Sequence, residues 1–192
     1  MVANRGFDSI DSKSRLKLIE AAATLLEDEG YPAFSARRIA ERAGLKPQLV
    51  HYYFRSMEDL VVAVFQRSAA IYFRLHDEAL SHHRPLHALW DLNRGMPEGK
   101  RMTEFVALAR QYAKLREEMR ETGENFRRLQ IDAIERVYAQ VGNPDPPISP
   151  AALAMLLSAI ARSFVIEDGV GVASGHDELN RLITLLLDRY EA

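Results

Sequence analysis

Four side chains in one short stretch, Lys46, Gln48, His51 and Tyr52, have the types and spacing to do specific chemistry. A glutamine amide sets one donor beside one acceptor, the pattern that pairs with the N6 and N7 edge of adenine. A lysine at the same end reaches either a guanine edge or a phosphate, while histidine and tyrosine extend the polar row. Upstream, Ser35, Arg37 and Arg38 stand where a helix begins. Unpaired backbone N–H groups and the positive end of the helix dipole favour a phosphate there. Arg38 is read either in this role or as facing solvent. Pro47 shapes the start of the row, and Arg55 adds a cation just beyond it. These are the groups of a surface that grips phosphates and reads base edges.

Local signals say which elements hold these groups. Ser35 is a good N-cap for a helix whose Ile39, Ala40 and Ala43 give an apolar face at helical spacing. Gly44 follows the last periodic residue, where a left-handed turn favours a residue without a side chain. Pro47 fits the first position of the next helix, because its missing N–H would be unpaired there anyway. In that helix Leu49, Val50 and Tyr53 supply the buried side and leave Lys46, Gln48, His51 and Tyr52 outward. Two short helices joined by such a turn make a helix-turn-helix, which seats its second helix in the DNA major groove. Ser56, with Asp59 three residues on, opens a further helix in a capping-box-like arrangement.

The stretch from Phe34 to Leu60 resembles the DNA-binding domain of the TetR family of bacterial transcriptional regulators. The residues that carry the resemblance are Gly30, Ile39-Ala40, Ala43-Gly44-Leu45, Tyr52-Tyr53-Phe54, and Ser56 with Glu58-Asp59-Leu60. It covers about fifty residues, and the remainder matches in length and helical layout only. The resemblance implies an all-α protein that binds double-stranded operator DNA as a homodimer and is released by a small-molecule effector. It implies that a tyrosine at position 52 or its neighbour touches the DNA backbone. Tyr52 itself is read as either a phosphate contact or packing. The sequence departs from the family's usual pattern at Lys46, Gln48, Leu49, His51 and Met57. A lysine that typically touches a phosphate is replaced by Met57, so either Arg55 compensates or affinity falls.

Other chemistries have weaker signals. His83 and His87 have the i, i+4 spacing of a helical metal pair, but Pro85 lies between them and no H-E-x-x-H pattern accompanies them. Gly169, Gly171 and Gly175 follow a helix and lack the spacing of a dinucleotide fingerprint. No nucleophile–base pairing is visible. The expectation is a protein that is not an enzyme, with no catalytic residue, no metal and no cofactor. The rival reading is a helical interaction protein whose helix-turn-helix is degenerate.

The composition agrees with a globular chain: 192 residues, 47% hydrophobic and 27% charged, enough for one or two domains with a real core. The absence of Cys excludes disulfides and thiolate metal sites. No apolar run is read as reaching membrane-spanning length, and the first residues lack a signal peptide's apolar segment, so a cytoplasmic protein without membrane contact is expected. Residues 1–56 hold nine Lys or Arg against seven Asp or Glu, and the rest sixteen against twenty. A mildly basic N-terminal module on an acidic body has the sign expected for nucleic-acid binding.

The domain division expected is 1–56 for a helix-turn-helix DNA-binding domain and 57–192 for a helical ligand-binding and dimerisation domain. The first helix is predicted over 12–29 after a frayed terminus, with Leu16, Ile19, Ala23 and Leu26 as its stripe. A long helix follows over 57–81, a short one over 86–92, one over 102–118 with a break near Glu121-Thr122-Gly123, and one over 124–141. The run 142–147 is a loop, and Ser149-Pro150 opens an apolar helix to Asp168. The last helix runs over 177–190. No segment alternates like a strand.

Trp90, Phe105, Tyr112, Gln130 and Phe164 are the candidate ligand-binding residues, with Phe126 as a further aromatic and Arg110 and Asn93 as further polar groups. Leu153, Leu156, Leu157 and Ile160 on one helix, and Leu179, Leu182, Ile183 and Leu186 on the next, are the candidate dimer interface. Paired across a two-fold axis they would form a four-helix bundle.

Overall fold

The computed structural model describes residues 5–95, 99–141 and 148–191. Among them are nine α-helices and a 3-10 turn, with no strand. The helices are α1 Arg5–Glu29, α2 Ala36–Ala43, α3 Gln48–Tyr53, α4 Met57–Leu80, α5 Pro85–Gly95, α6 Gly99–Leu108, α7 Ala113–Val141, α8 Pro150–Asp168 and α9 His176–Leu187. The 3-10 turn is Tyr31–Ala33. The all-α expectation holds. The chain packs as two compact units, Met1–Ala69 with Arg101–Met119, and Ala70–Lys100 with Arg120–Ala192.

In the first unit, α1 presents Leu18, Ile19, Ala22, Leu25 and Leu26 to Ile39, Ala40, Val50 and Phe54, and α4 adds Leu60, Val61, Val64 and Phe65. The buried stripe of α1 is broader than expected, and Leu16 lies outside it at 37% exposure. The helix also starts earlier than predicted, at Arg5. Gly30 closes it at φ 71, ψ 179, a backbone conformation essentially confined to glycine. Phe105, Leu108 and Leu115, from α6 and α7, complete this core.

One helix break stands elsewhere than predicted. The expected helix over 102–118 is interrupted between Leu108 and Ala113, and α7 then runs without a break through Glu121-Thr122-Gly123. A lone glycine inside a helix costs only about 1 kcal/mol relative to alanine, too little to stop a 29-residue helix that is packed elsewhere. The real break is set by distant partners. The Tyr112 hydroxyl is hydrogen-bonded to that of Tyr31. The Lys114 N–H, unpaired at the start of α7, donates to Glu58 Oε1 at 2.9 Å.

In the second unit, Leu86 and Trp90 of α5, Ile134, Val137 and Tyr138 of α7, and Leu153, Ala154, Leu157, Ala161 and Phe164 of α8 surround Ile183 and Leu187 of α9. Leu129 of α7 is 41% exposed. Ser149 caps α8, accepting the Ala152 N–H at 3.2 Å. At 19 residues with mean hydropathy 1.5, α8 is long and apolar enough to cross a membrane by length and composition, contrary to the sequence expectation. One face of α8 fills the second core, and its other face is apolar as well, with Met155 and Ile166 each 61% exposed. The predicted loop 142–147 lies outside the described residues. The helix predicted over 86–92 is longer, running from Pro85 to Gly95, and α6 starts at Gly99, before the predicted 102.

Candidate nucleic-acid interface

The turn between α2 and α3 has the geometry its sequence calls for. Gly44 adopts φ 66, ψ 33, the left-handed conformation. The Leu45 N–H then reaches Ala40 O at 2.9 Å and the Gly44 N–H reaches Glu41 O at 3.1 Å, a Schellman closure that satisfies two carbonyls of α2. At the other end of α2, Ser35 Oγ accepts the Arg38 N–H. Pro47 takes helical dihedrals just before Gln48, one residue earlier than the first helical position expected for it.

This turn and the burial of one side of α3 set the polar row. Val50 and Phe54 are buried at 1% and 4% exposure, and Leu49 and Tyr53 pack partly against the same core. Lys46, Pro47, Gln48, His51, Tyr52 and Arg55 are all exposed, with Tyr52 at 70%. Tyr52 therefore does not pack into the core, although its ring lies 4.9 Å from that of Tyr53. Ser35, Arg37 and Arg38 are exposed at the start of α2.

Two arginines of α2 have partners that the sequence reading did not anticipate. Arg38 Nη2 meets Glu29 Oε2 at 2.6 Å. Arg42 bridges Asp28 at 2.6 Å and Glu29 at 3.1 Å. These pairs join α2 to the end of α1 and orient the helix that precedes the turn. Being exposed, each contributes no more than about 1 kcal/mol.

Ser56 caps α4 as expected, its Oγ accepting the Asp59 N–H at 3.1 Å. Lys114 Nζ bonds Asp59 Oδ1 at 2.7 Å. The Lys114 ammonium, and then the Ser56 hydroxyl, hold the Asp59 carboxyl below its ordinary range, and Asp59 in turn raises Lys114. Met57 is partly buried against the first core. Sequence reasoning missed Arg15 and Lys114, which border the far end of α3. Arg15 Cζ lies 5.2 Å over the Phe54 ring. No local pattern marks Lys114, because its relation to α3 exists only in the folded unit.

The candidate ligand residues fall in different units. Phe105 is in the first core, edge-on to Phe65 at 5.3 Å, and Tyr112 is bonded to Tyr31. Trp90, Gln130 and Phe164 belong to the second unit. There Trp90 Nε1 donates to Asn180 Oδ1 at 2.9 Å, and its ring meets Phe164 at 6.1 Å. Gln130 Nε2 lies 3.2 Å from His76 Nε2, and Gln130 Oε1 accepts from Ser158 Oγ. His76 Nδ1 lies 3.2 Å from Tyr72 O, which makes Nδ1 the protonated nitrogen and Nε2 the acceptor of the Gln130 amide. Burial holds the His76 imidazole down to about 4. Tyr72 donates to Asn93 Oδ1 at 2.6 Å, leaving the buried Asn93 Nδ2 without a partner. The Phe73 and Phe126 rings stack at 3.8 Å beside this network. His76, Ser158, Tyr72 and Phe73 were absent from the sequence-based ligand set.

Of the candidate dimer residues, Leu153, Leu157 and Ile183 are at most 2% exposed within a single chain. They fill the second unit's own core, so they are not available to a partner. Leu156 is 37% and Leu182 60% exposed, while Ile160, Leu179 and Leu186 are half-buried. Met155, Ile166 and Leu185 are exposed at 61%, 61% and 65%. His87, weighed as half of a metal pair, instead has Nδ1 2.7 Å from Glu191 and Nε2 3.1 Å from Asp188.

A glycine-closed turn, capped flanking helices and an outward polar row on α3 define a helix-turn-helix protein. Residues 18–64 match the family described as bacterial regulatory proteins, tetR family. The HTH-type transcriptional regulator BetI of Rhizobium meliloti (strain 1021) is 34% identical over 67 residues, covering 35% of this chain and 32% of that protein. The matched stretch thus spans about a third of the relative. Two solved structures share the fold over nearly the whole chain. A TetR transcription regulator from Haloarcula marismortui superposes with a TM-score of 0.77 at 17% identity, over 92% of this chain and 96% of the other. A transcriptional regulator from Saccharomonospora viridis, solved in complex with choline, gives 0.77 at 21%, over 90% and 96%. Residues 18–64 thus carry the helix-turn-helix domain of the TetR family of transcriptional regulators.

Proposed function

We propose that this protein is a ligand-responsive repressor that binds a palindromic operator in double-stranded DNA as a homodimer and is released by a small-molecule effector. The observation that carries the reading is the row Lys46, Gln48, His51 and Tyr52, exposed on α3 above buried Val50 and Phe54. Gln48 and Lys46 read base edges. Ser35, Arg37, Arg38, Tyr52 and Arg55 hold phosphates. Residues 1–56 act as the reading domain and 57–192 as the effector and dimerisation domain, in a cytoplasmic protein.

One helix-turn-helix covers few base pairs, so useful specificity needs two, about one helical turn of DNA apart. The exposed Met155, Leu156, Leu182 and Leu185 on α8 and α9 support a two-fold contact there. The effector reading is supported by the buried polar network around His76 and Gln130, by the unpartnered Asn93 Nδ2, and by the choline bound in the Saccharomonospora structure. An effector that favours one arrangement of the two reading helices shifts the population away from the DNA-bound state.

Selection of binders from random duplex DNA tests this reading. Enrichment of an inverted repeat supports it, and failure to enrich any sequence at low salt contradicts it. Choline serves as a first effector probe, because a bound molecule that leaves DNA affinity unchanged counts against release.

A further inference from the structure

A cleft of about 340 Å3 opens where α3 ends, lined by Arg15 of α1, Tyr53, Phe54, Arg55, Asp59 of α4 and Lys114 of α7. Three cations and one carboxylate give this lining a formal charge of +2. All six residues belong to the first unit, the one that contains α3. Arg15 and Arg55 are exposed, and the Lys114 side chain is 63% exposed. Arg15 rests on the face of Phe54. The cation–ring contact tethers the guanidinium, whose fork of N–H donors suits a tetrahedral anion. Asp59 fixes Lys114 at 2.7 Å and so keeps the ammonium at the rim of the cleft.

A recognition helix in the major groove lies between two phosphate strands. Groups at its C-terminal end meet the backbone rather than the bases. Tyr52, beside Tyr53 of the cleft and 70% exposed, continues the same surface. We propose that the cleft is a phosphate-binding notch for the DNA backbone beside each half-site. Arg15 and Arg55 contact the phosphate, and Lys114, positioned by Asp59, adds a third cation from an element that the helix-turn-helix does not include. The proposal rests on the reading of α3 as the DNA-reading helix. Free inorganic phosphate has the same chemistry. DNA is the better occupant because the cations are exposed and continuous with the polar row of α3.

The test is a salt titration of full-length protein on a selected operator and on random duplex DNA, with Arg15→Gln, Arg15→Lys and Asp59→Asn. Each neutralised phosphate contributes about 0.9 to the slope of log affinity against log salt. Loss of one contact in each half of a dimer therefore lowers the slope by about 1.8, roughly a tenfold smaller affinity loss between 50 and 200 mM salt. Arg15→Gln is expected to weaken binding to both duplexes by the same factor and to lower the slope. Arg15→Lys is expected to retain most of the slope, which covers the case of a glutamine variant that does not fold. Asp59→Asn removes a negative charge while its amide oxygen still accepts from Lys114, so it is expected to tighten binding to both duplexes at low salt. A purely structural Asp59–Lys114 pair would make the same change weaken binding, and that result overturns the proposal. So do wild-type slopes in both Arg15 variants, or phosphate binding that depends on Arg15 while the DNA slopes do not. If the wild-type protein binds no DNA, the reading of α3 itself has failed, which is seen before any variant is compared.

Discussion

Glu58 Oε1 accepts the backbone N–H of Lys114 at 2.9 Å, so a carboxylate near the start of α4 caps the first turn of α7. The first N–H groups of a helix have no internal partner, and an acidic side chain there also meets the positive end of the helix dipole. Glu58→Ala is expected to lower the stability of the protein by about 0.5–1.5 kcal/mol, with Glu58→Gln losing less because its amide oxygen still accepts. Urea denaturation followed by circular dichroism checks this. A change below the error of the fit for Glu58→Ala would show that the cap contributes nothing.

The first unit also shows which features were legible in the sequence. Ser35, Gly44, Pro47 and Ser56 are local signals, since each acts through its own dihedrals or through a hydrogen bond to a residue within three positions. The helix-turn-helix and its polar row followed from them. The break between α6 and α7 did not, because it is enforced by Tyr31 and Glu58, which lie 81 and 56 residues away along the chain. Gly123 looked like the breaker and is a tolerated helical residue. The burial of three dimer candidates within the chain was not legible for a related reason. Leucine periodicity marks an apolar helix but not which of its sides the chain itself covers, and Leu153, Leu157 and Ile183 are covered.

His76 makes stability depend on pH. Its imidazole is fully buried and held down to about 4, so the folded protein keeps it neutral while the unfolded chain titrates near the ordinary value of about 6.5. The folded value is the lower one. Between these values the unfolded state binds the extra proton, so stability falls as pH drops from about 6.5 to about 4, by up to about 3 kcal/mol. His76→Gln is expected to be less stable at pH 7 and to show a flatter dependence from pH 6.5 to 4.5. Thermal melts across that range decide the matter, and an equally steep fall in the variant would remove His76 as the cause.

Leu182 and Leu157 should respond in opposite ways. Leu182 is 60% exposed, so Leu182→Glu is expected to leave the helical content intact and to shift the protein to monomer in sedimentation. Leu157 is fully buried, and Leu157→Ala is expected to cost about 2–5 kcal/mol of stability. A Leu182→Glu protein that stays dimeric would move the proposed interface away from this face.

The most direct test of the central claim is the affinity of full-length protein for its selected operator and for random duplex, compared between wild type and Gln48→Ala. Loss of a bidentate base contact costs about 1–3 kcal/mol of discrimination. The prediction is that Gln48→Ala weakens operator binding about 10- to 100-fold, relaxes the preference at one base pair of each half-site, and leaves random-duplex affinity unchanged. Equal losses on both duplexes, or a variant that reads the operator as well as wild type, would contradict α3 as the element that reads DNA sequence.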